Sequence, residues 1–173
     1  MTHMRLFIAI ELSPEAKQLV KDVQDTFRWQ HVGGNYTPEE NLHITLAFIG
    51  EYGDPDRVLE ALNSVSFSPF EVTLDIVGCF GDLWWLGASE SKTLDALAGK
   101  VRHALADAEI PYDRKKFKTH VTILRKPVYR GRQISHMTIE PVMMQVARIR
   151  LMRSTRGKNG MIYTELGAVE TEG

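Results

Sequence analysis

Two tripeptides of one type carry the chemistry that this sequence offers: His43-Ile44-Thr45 and His120-Val121-Thr122. An imidazole titrates near neutrality, with an unperturbed pKa of about 6.5, so it can take or give a proton under ordinary conditions. In a β-strand, residues i and i+2 project to the same face. If both tripeptides are extended, His43 and Thr45 share one face while Ile44 and Leu46 share the other. His120 and Thr122 likewise share a face, opposite Val121 and Ile123. Each strand then presents an imidazole and a hydroxyl on one side and branched apolar side chains on its back.

Two such faces lining one cleft suit phosphodiester chemistry. One histidine removes a proton from the attacking oxygen, the other delivers one to the leaving oxygen, and the hydroxyls hold phosphate oxygens. A single His-x-Thr is common and usually structural. The weight lies in two copies in matching strand contexts, although their spacing alone does not bring the strands together.

The surrounding elements must do that. Residues 5–11 form a short apolar run that reads as a buried strand. Ser13 can cap a helix with Pro14 in its first turn, running to about Phe27 with Ala16, Leu19, Val20, Val23 and Phe27 on one face. Gly33-Gly34-Asn35 predicts a turn or loop. It is not a phosphate loop, because no Gly-Lys-Ser/Thr ending follows. The next strand covers 43–48 and is ended by Gly50. A helix follows from Asp54-Pro55 to about Val65, then strands at 70–76 and 84–86. A long helix from Ser91 to about Glu109, with Leu94, Leu97, Val101, Leu105 and Ala108 inward, is ended by Pro111. Strands are predicted at 119–124, 142–154 and 161–166, the last two joined by the turn at 156–160.

The pattern echoes itself. Each half has an amphipathic helix, a loop, and a strand beginning His-x-Thr. Two similar lobes, each presenting one copy of the same group, are the expectation.

The chain has 173 residues and a formal charge of −1, but the charge is uneven. Residues 1–100 hold 7 Lys and Arg against 15 Asp and Glu, whereas residues 101–160 hold 14 against 4. A basic second half can attract a polyanion although the total is near zero. One cysteine, Cys79, excludes an internal disulfide framework and a Cys-rich zinc site; within Ile76-Val77-Gly78-Cys79-Phe80 it reads as a small buried apolar side chain. No apolar run approaches the roughly 20 residues that span a bilayer, and no secretory leader pattern opens the sequence. The expectation is a cytoplasmic protein with no membrane association.

Three segments resemble a known family: Arg5-Leu6-Phe7-Ile8-Ala9-Ile10, then residues 41–50 from Asn41-Leu42-His43 to Ile49-Gly50, then residues 117–125 from Phe117-Lys118-Thr119-His120 to Leu124-Arg125. Their order and separation are similar to those of the two-histidine phosphoesterases, within them the bacterial and archaeal RNA 2′,3′-cyclic phosphodiesterases, also called 2′-5′ RNA ligases. The resemblance covers nearly the whole chain. It implies an α+β fold of two pseudo-symmetric lobes, each an antiparallel sheet with helices on its outer side, forming one domain over residues 1–173. A central cleft would carry one motif from each lobe.

It also implies metal-independent, cofactor-free opening of a ribose 2′,3′-cyclic phosphate to a 2′-phosphate. His43 would be the proton donor to the 3′ oxygen and His120 the proton acceptor from water, with Thr45 and Thr122 on the phosphate. The implied partner is an RNA or nucleotide with a 2′,3′-cyclic phosphate end, and 2′-5′ ligation is chemically accessible. Oligomeric state is not legible; a monomer is the expectation. Two positions depart from the family: Thr119 stands where Pro is frequent, and Lys118 where Arg is. Both bear on the loop entering the strand more than on the chemistry.

Arg125 lies an odd five residues after His120. An uninterrupted strand would turn it to the other face, so it is expected at or beyond the strand end, where its guanidinium suits phosphate contact. Phe7 is placed to stack on a base or to pack in the core. Lys118, with Arg114, Lys115 and Lys116, forms a basic stretch able to guide an RNA backbone or to be a solvated loop. Trp84 and Trp85 should face opposite ways, one into the core and one toward the cleft. Tyr163 is open between the two. His3, His31, His103 and His136 lack a patterned partner and read as surface residues.

Two other functions compete. A non-catalytic nucleotide-binding module would use the same cleft, but intact His43 and His120 argue against it. A metal hydrolase would need more ligands than two histidines, and no His-Glu-x-x-His or His-x-His supplies them.

Overall fold

The computed structural model describes residues 4–131, 133–134 and 137–171. His3 and His136 lie outside the described residues. The apolar run at the start becomes β1 (Met4–Glu11), whose central five residues are all buried, Leu6, Ile8 and Ile10 in the main core and Phe7 and Ala9 in a smaller cluster with Met152 and Tyr163. Ser13 accepts a hydrogen bond from the Ala16 N–H and so caps α1 (Pro14–Trp29). The helix ends with His31 in the left-handed region and the Val32 N–H bonded back to the Phe27 carbonyl at 3.0 Å. The same ending recurs on α3 (Lys92–Asp107), where Glu109 is left-handed and the Ile110 N–H reaches the Leu105 carbonyl at 2.9 Å. In both, the residue donating the closing bond is buried, the usual apolar lock of this cap.

Three antiparallel sheets follow among the described residues. The first has the order β10–β9–β1–β3, built from β10 (Gly160–Glu170), β9 (Arg148–Gly157), β1 and β3 (His43–Tyr52). The second has the order β2–β7–β6–β5, built from β2 (Gly33–Tyr36), β7 (Val121–Val128), β6 (Leu83–Gly87) and β5 (Ile76–Phe80). A two-stranded ribbon pairs β4 (Phe70–Leu74) with β8 (Val142–Val146). The remaining α-helix among the described residues is α2 (Pro55–Leu62), capped by Asp54.

The helices cross over. α1, from the first half, packs against β7 and β8, and α3, from the second half, packs against β3 and α2. Each His-x-Thr strand is therefore backed by the other half's helix. The apolar backs of the motifs, Ile44, Leu46, Val121 and Ile123, are fully buried in one core that also holds Val20 and Val101. Each such side chain contributes roughly 1.5–3 kcal/mol of burial free energy. The strands that carry the polar groups are thus among the best anchored parts of the molecule.

Several sequence expectations change. The Gly33-Gly34-Asn35 loop is strand β2, paired with the edge of β7. Gly34 makes that possible: its φ is +130°, and a Cβ there would stand 2.7 Å from the Lys126 carbonyl oxygen. Gly50 does not end β3; with φ at +84° it lets the chain pass a bulge, and pairing continues to Tyr52. Residues 70–76 and 142–154 each divide into two strands that join different sheets. The helices also stop earlier than expected, α2 at Leu62 and α3 at Asp107, because the closing bonds of the next turn satisfy their ends. Cys79 is exposed, near the end of the edge strand β5.

The bulges matter most. In β3, Thr45 pairs with Ala9 and Ala47 with Ile8, leaving Leu46 as an extra residue. In β7, Thr122 pairs with Trp85 and Leu124 with Trp84, leaving Ile123 extra. An extra residue reverses the alternation of everything beyond it. Consecutive residues, Leu46-Ala47 and Ile123-Leu124, are therefore both buried, and the next residues, Phe48 and Arg125, return to the side of the His-x-Thr pairs.

Candidate active site

The polar faces of β3 and β7 line a single cleft of roughly 560 Å³. His43, Thr45, His120, Thr122, Arg125 and Phe7 all contribute to its wall. Lys118 is absent from it, as are Arg114, Lys115, Lys116 and both tryptophans.

Each histidine is held in the same way. His43 Nδ1 lies 2.6 Å from the Asn41 carbonyl oxygen, and His120 Nδ1 lies 2.8 Å from the Lys118 carbonyl oxygen. A carbonyl only accepts, so each Nδ1 carries its proton and donates. That leaves Nε2 of each ring to exchange a proton. His43 Nε2 is 2.9 Å from Thr45 Oγ1, which donates to it while the ring is neutral.

His43 is the more enclosed. Its ring centroid lies 5.0 Å from Phe7, tilted by 36°, and 5.3 Å from Tyr163, which stands edge-on. Loss of water around the ring pushes its pKa below the ordinary value. The Asn41 carbonyl opposes this, while the positive charges of His120, Arg150 and Arg125 reinforce it. The influence of His120 ties the two imidazoles electrostatically, as groups sharing one cleft must be.

Arg125 reaches the wall by the bulge at Ile123, not by the strand ending. β7 continues to Val128, and the interruption, rather than the end, cancels the odd offset. In the other half, Phe48 occupies the corresponding place, with the Arg5 guanidinium 5.3 Å from its ring centre.

Lys118 goes elsewhere. Its ammonium sits 4.1 Å from the Phe80 ring centre and 4.8 Å from that of Trp85. The backbone of Lys118, not its side chain, serves the cleft, through the His120 link. The tryptophan expectation also fails in one half. Trp84 is buried against Phe27, with its indole N–H donating to Tyr129 Oη at 2.8 Å. Trp85 is buried too, lying over Gly78 and Gly87 with Phe80 stacked on it at 5.1 Å. Any Cβ at those glycines would enter its ring. Phe7 is only 4% exposed and packs on His43, Met152 and Tyr163, which leaves it as a prop rather than a free stacking surface.

Sequence reasoning missed Arg5, Thr37, Asn41, Ser154, Arg156 and Met161, all in the wall. Asn41 does the most: its side-chain amide donates to the Met161 carbonyl at 3.0 Å, pinning the segment whose carbonyl orients His43. The signal for it was its place at the start of the family-like segment 41–50, two residues before the histidine. Among the described residues, no three His, Cys, Asp or Glu side chains gather in a way that suits a metal ion. The cleft instead combines arginines, hydroxyls and two imidazoles, an anion-binding set with proton-transfer groups. No described helix is long and apolar enough to cross a membrane.

The chain resembles known proteins over almost its full length. The family model of the 2′-5′ RNA ligase superfamily matches residues 14–158. An RNA 2′,3′-cyclic phosphodiesterase of Archaeoglobus fulgidus is 32% identical over 96% of this chain and 100% of its own length. One of Thermotoga maritima is 28% identical over 98% of this chain and 97% of its own. Among solved structures, Escherichia coli LigT complexed with 3′-AMP shares the fold, with a TM-score of 0.83, 24% identity and 98% of each chain covered. A second, described as a phosphoesterase, has a TM-score of 0.82 and 26% identity over 98% of each chain.

Proposed function

The chain belongs to the 2′-5′ RNA ligase superfamily, and on that footing we propose that it is an RNA 2′,3′-cyclic phosphodiesterase that opens the cyclic ester to a 2′-phosphate by paired histidine catalysis. The observation that carries the reading is the meeting of two His-x-Thr faces and Arg125 in one cleft.

In the proposed reaction the cyclic phosphate lies between the two imidazoles. His120 Nε2 takes a proton from water as the water oxygen bonds to phosphorus. The phosphorus–O3′ bond breaks, and His43 Nε2 gives its proton to O3′, leaving the phosphate on O2′. Thr45, Thr122 and Arg125 hold the non-bridging oxygens, whose charge grows as the fifth bond forms. A ribose 5′-hydroxyl in place of water makes a 2′–5′ linkage by the same proton movements. No metal enters these steps.

The depressed pKa of His43 fits a donor only when substrate is bound. In the free cleft, burial and neighbouring cations favour the neutral ring. A phosphodiester carries one negative charge, which favours imidazolium at close range. Substrate therefore charges its own acid. The exposed thiol of Cys79 suits a reducing compartment, and the reading keeps the chain in the cytoplasm.

The test is product analysis. An oligonucleotide ending in a 2′,3′-cyclic phosphate, incubated with enzyme and chelator, should yield the 2′-phosphate. Folded enzyme that leaves several such substrates intact, or yields only the 3′-phosphate, would overturn the reading.

A further inference from the structure

Gln24 is a polar side chain on the apolar face of α1, 4% exposed among Val20, Val23 and Phe27. Its amide nitrogen donates to the Ile123 carbonyl at 3.1 Å and to the Thr37 carbonyl at 2.9 Å. Ile123 is the extra residue of the bulge in β7. On α3, Arg102 plays the mirror part, its Nε donating to the carbonyl of Leu46 at 3.1 Å. Leu46 is the extra residue of the bulge in β3. Gln24 and Arg102 are each the eleventh residue of a sixteen-residue helix.

The Ile123 carbonyl also accepts the Thr37 N–H at 3.1 Å, so Gln24, bonded to the carbonyls of both residues, clamps the β7 bulge to the chain just past β2, as Arg102 holds the carbonyl of the β3 bulge. Gln24 and Arg102 each come from the opposite half of the chain to the bulge they bind. We propose that Gln24 and Arg102 are positioning residues that hold the two bulges in register. In so doing they set whether the fifth residue after each histidine faces the cleft. The Gln24 bond keeps Arg125 on the cleft side, and the Arg102 bond keeps Phe48 there. This rests on the reading of the cleft as a phosphodiester site in which Arg125 contacts phosphate.

The experiment compares Gln24→Met, Arg125→Met and the double variant, by kcat and KM on an oligonucleotide ending in a 2′,3′-cyclic phosphate. Methionine keeps the length and removes the donor. Gln24→Met should lower kcat/KM about tenfold, a size typical of residues coupled through a shared backbone shift, and should add less than about twofold on top of Arg125→Met. A purely structural role would give effects that multiply. Full multiplication, or a folded Gln24→Met within about twofold of wild type, overturns the proposal.

A crystal structure of Gln24→Met is the readout independent of turnover. Arg125 should leave the cleft wall and the pairing of Trp84 and Trp85 with β7 should shift. Unchanged register overturns the proposal even if the wild type proves inactive on cyclic phosphates, a result that would instead sink the functional reading. If Gln24→Met does not fold, Arg102→Met is read the same way at Leu46 and Phe48. Retained register and kinetics there overturn it.

Discussion

The ring of Phe7 lies 5.0 Å from the imidazole of His43, and Tyr163 stands 5.3 Å from that imidazole and 5.0 Å from Phe7, so the three rings cluster. A strand residue with the pattern of a core position thus sets the acidity of a group in the cleft. Burial is the largest cause of the lowered His43 pKa, and the charge of His120 adds to it. NMR titration should place His43 below its ordinary value near 6.5. Phe7→Ser should raise it by admitting water, His120→Asn should raise it by removing a like charge, and inorganic phosphate should raise it in the wild type. A His43 that titrates at or above the ordinary value contradicts this account.

The same shift has a consequence for stability. His43 binds its proton less readily folded than unfolded, so the unfolded chain holds more protons between the two pKa values. Stability should be unaffected by this residue above the ordinary histidine range. It should fall as pH drops through that range toward the lowered folded pKa, by at most about 1.4 kcal/mol per pH unit for one proton. Urea unfolding at several pH values should show a shallower acid decline in His43→Gln. An identical decline in the variant assigns the effect elsewhere.

Removing either imidazole tests the division of labour. His43→Ala and His120→Ala should each reduce kcat by about 10²–10⁴-fold, the usual contribution of general acid–base catalysis, with the fold intact by circular dichroism. Near-normal turnover in either variant removes that residue from the mechanism.

Arg125 and Lys118 should part company. Arg125→Met should cost about tenfold or more in kcat/KM, as loss of a hydrogen bond to a charged group does. Arg125→Lys should recover only part, since a point charge does not match two phosphate oxygens as a planar fork does. Lys118→Gln should stay within about threefold, because the Lys118 side chain rests on Phe80 and Trp85 while its backbone carbonyl does the orienting. Equal losses at both positions would mean that the RNA passes over the Phe80 face.

Much of the candidate site was legible in the order of residues alone. The alternation within residues 43–46 and 120–123 placed imidazole and hydroxyl together and their apolar neighbours behind, and the burial pattern follows it. The helices were legible from their apolar stripes and from Ser13 and Pro14. Strand β2 was not, because two adjacent glycines say loop locally, and only the edge of β7 gives them partners. Cys79 was misjudged for a related reason: its apolar neighbours do not reveal that its strand lies at a sheet edge.

The sequence alone determined the chemistry each strand can present, since a two-residue alternation is a property of the extended backbone and requires no partner. It also determined where the helices start and how their apolar faces run. Tertiary structure decided which residues join the imidazoles in the cleft. Arg125 sits on the wrong parity for an uninterrupted strand, and the bulge that corrects it lies against Gln24, 99 residues from Ile123 along the chain. Arg102 and Leu46, 56 residues apart, meet in the same way in the other half. These contacts on the two bulges are brought together by the fold from far along the chain, beyond the reach of any local pattern.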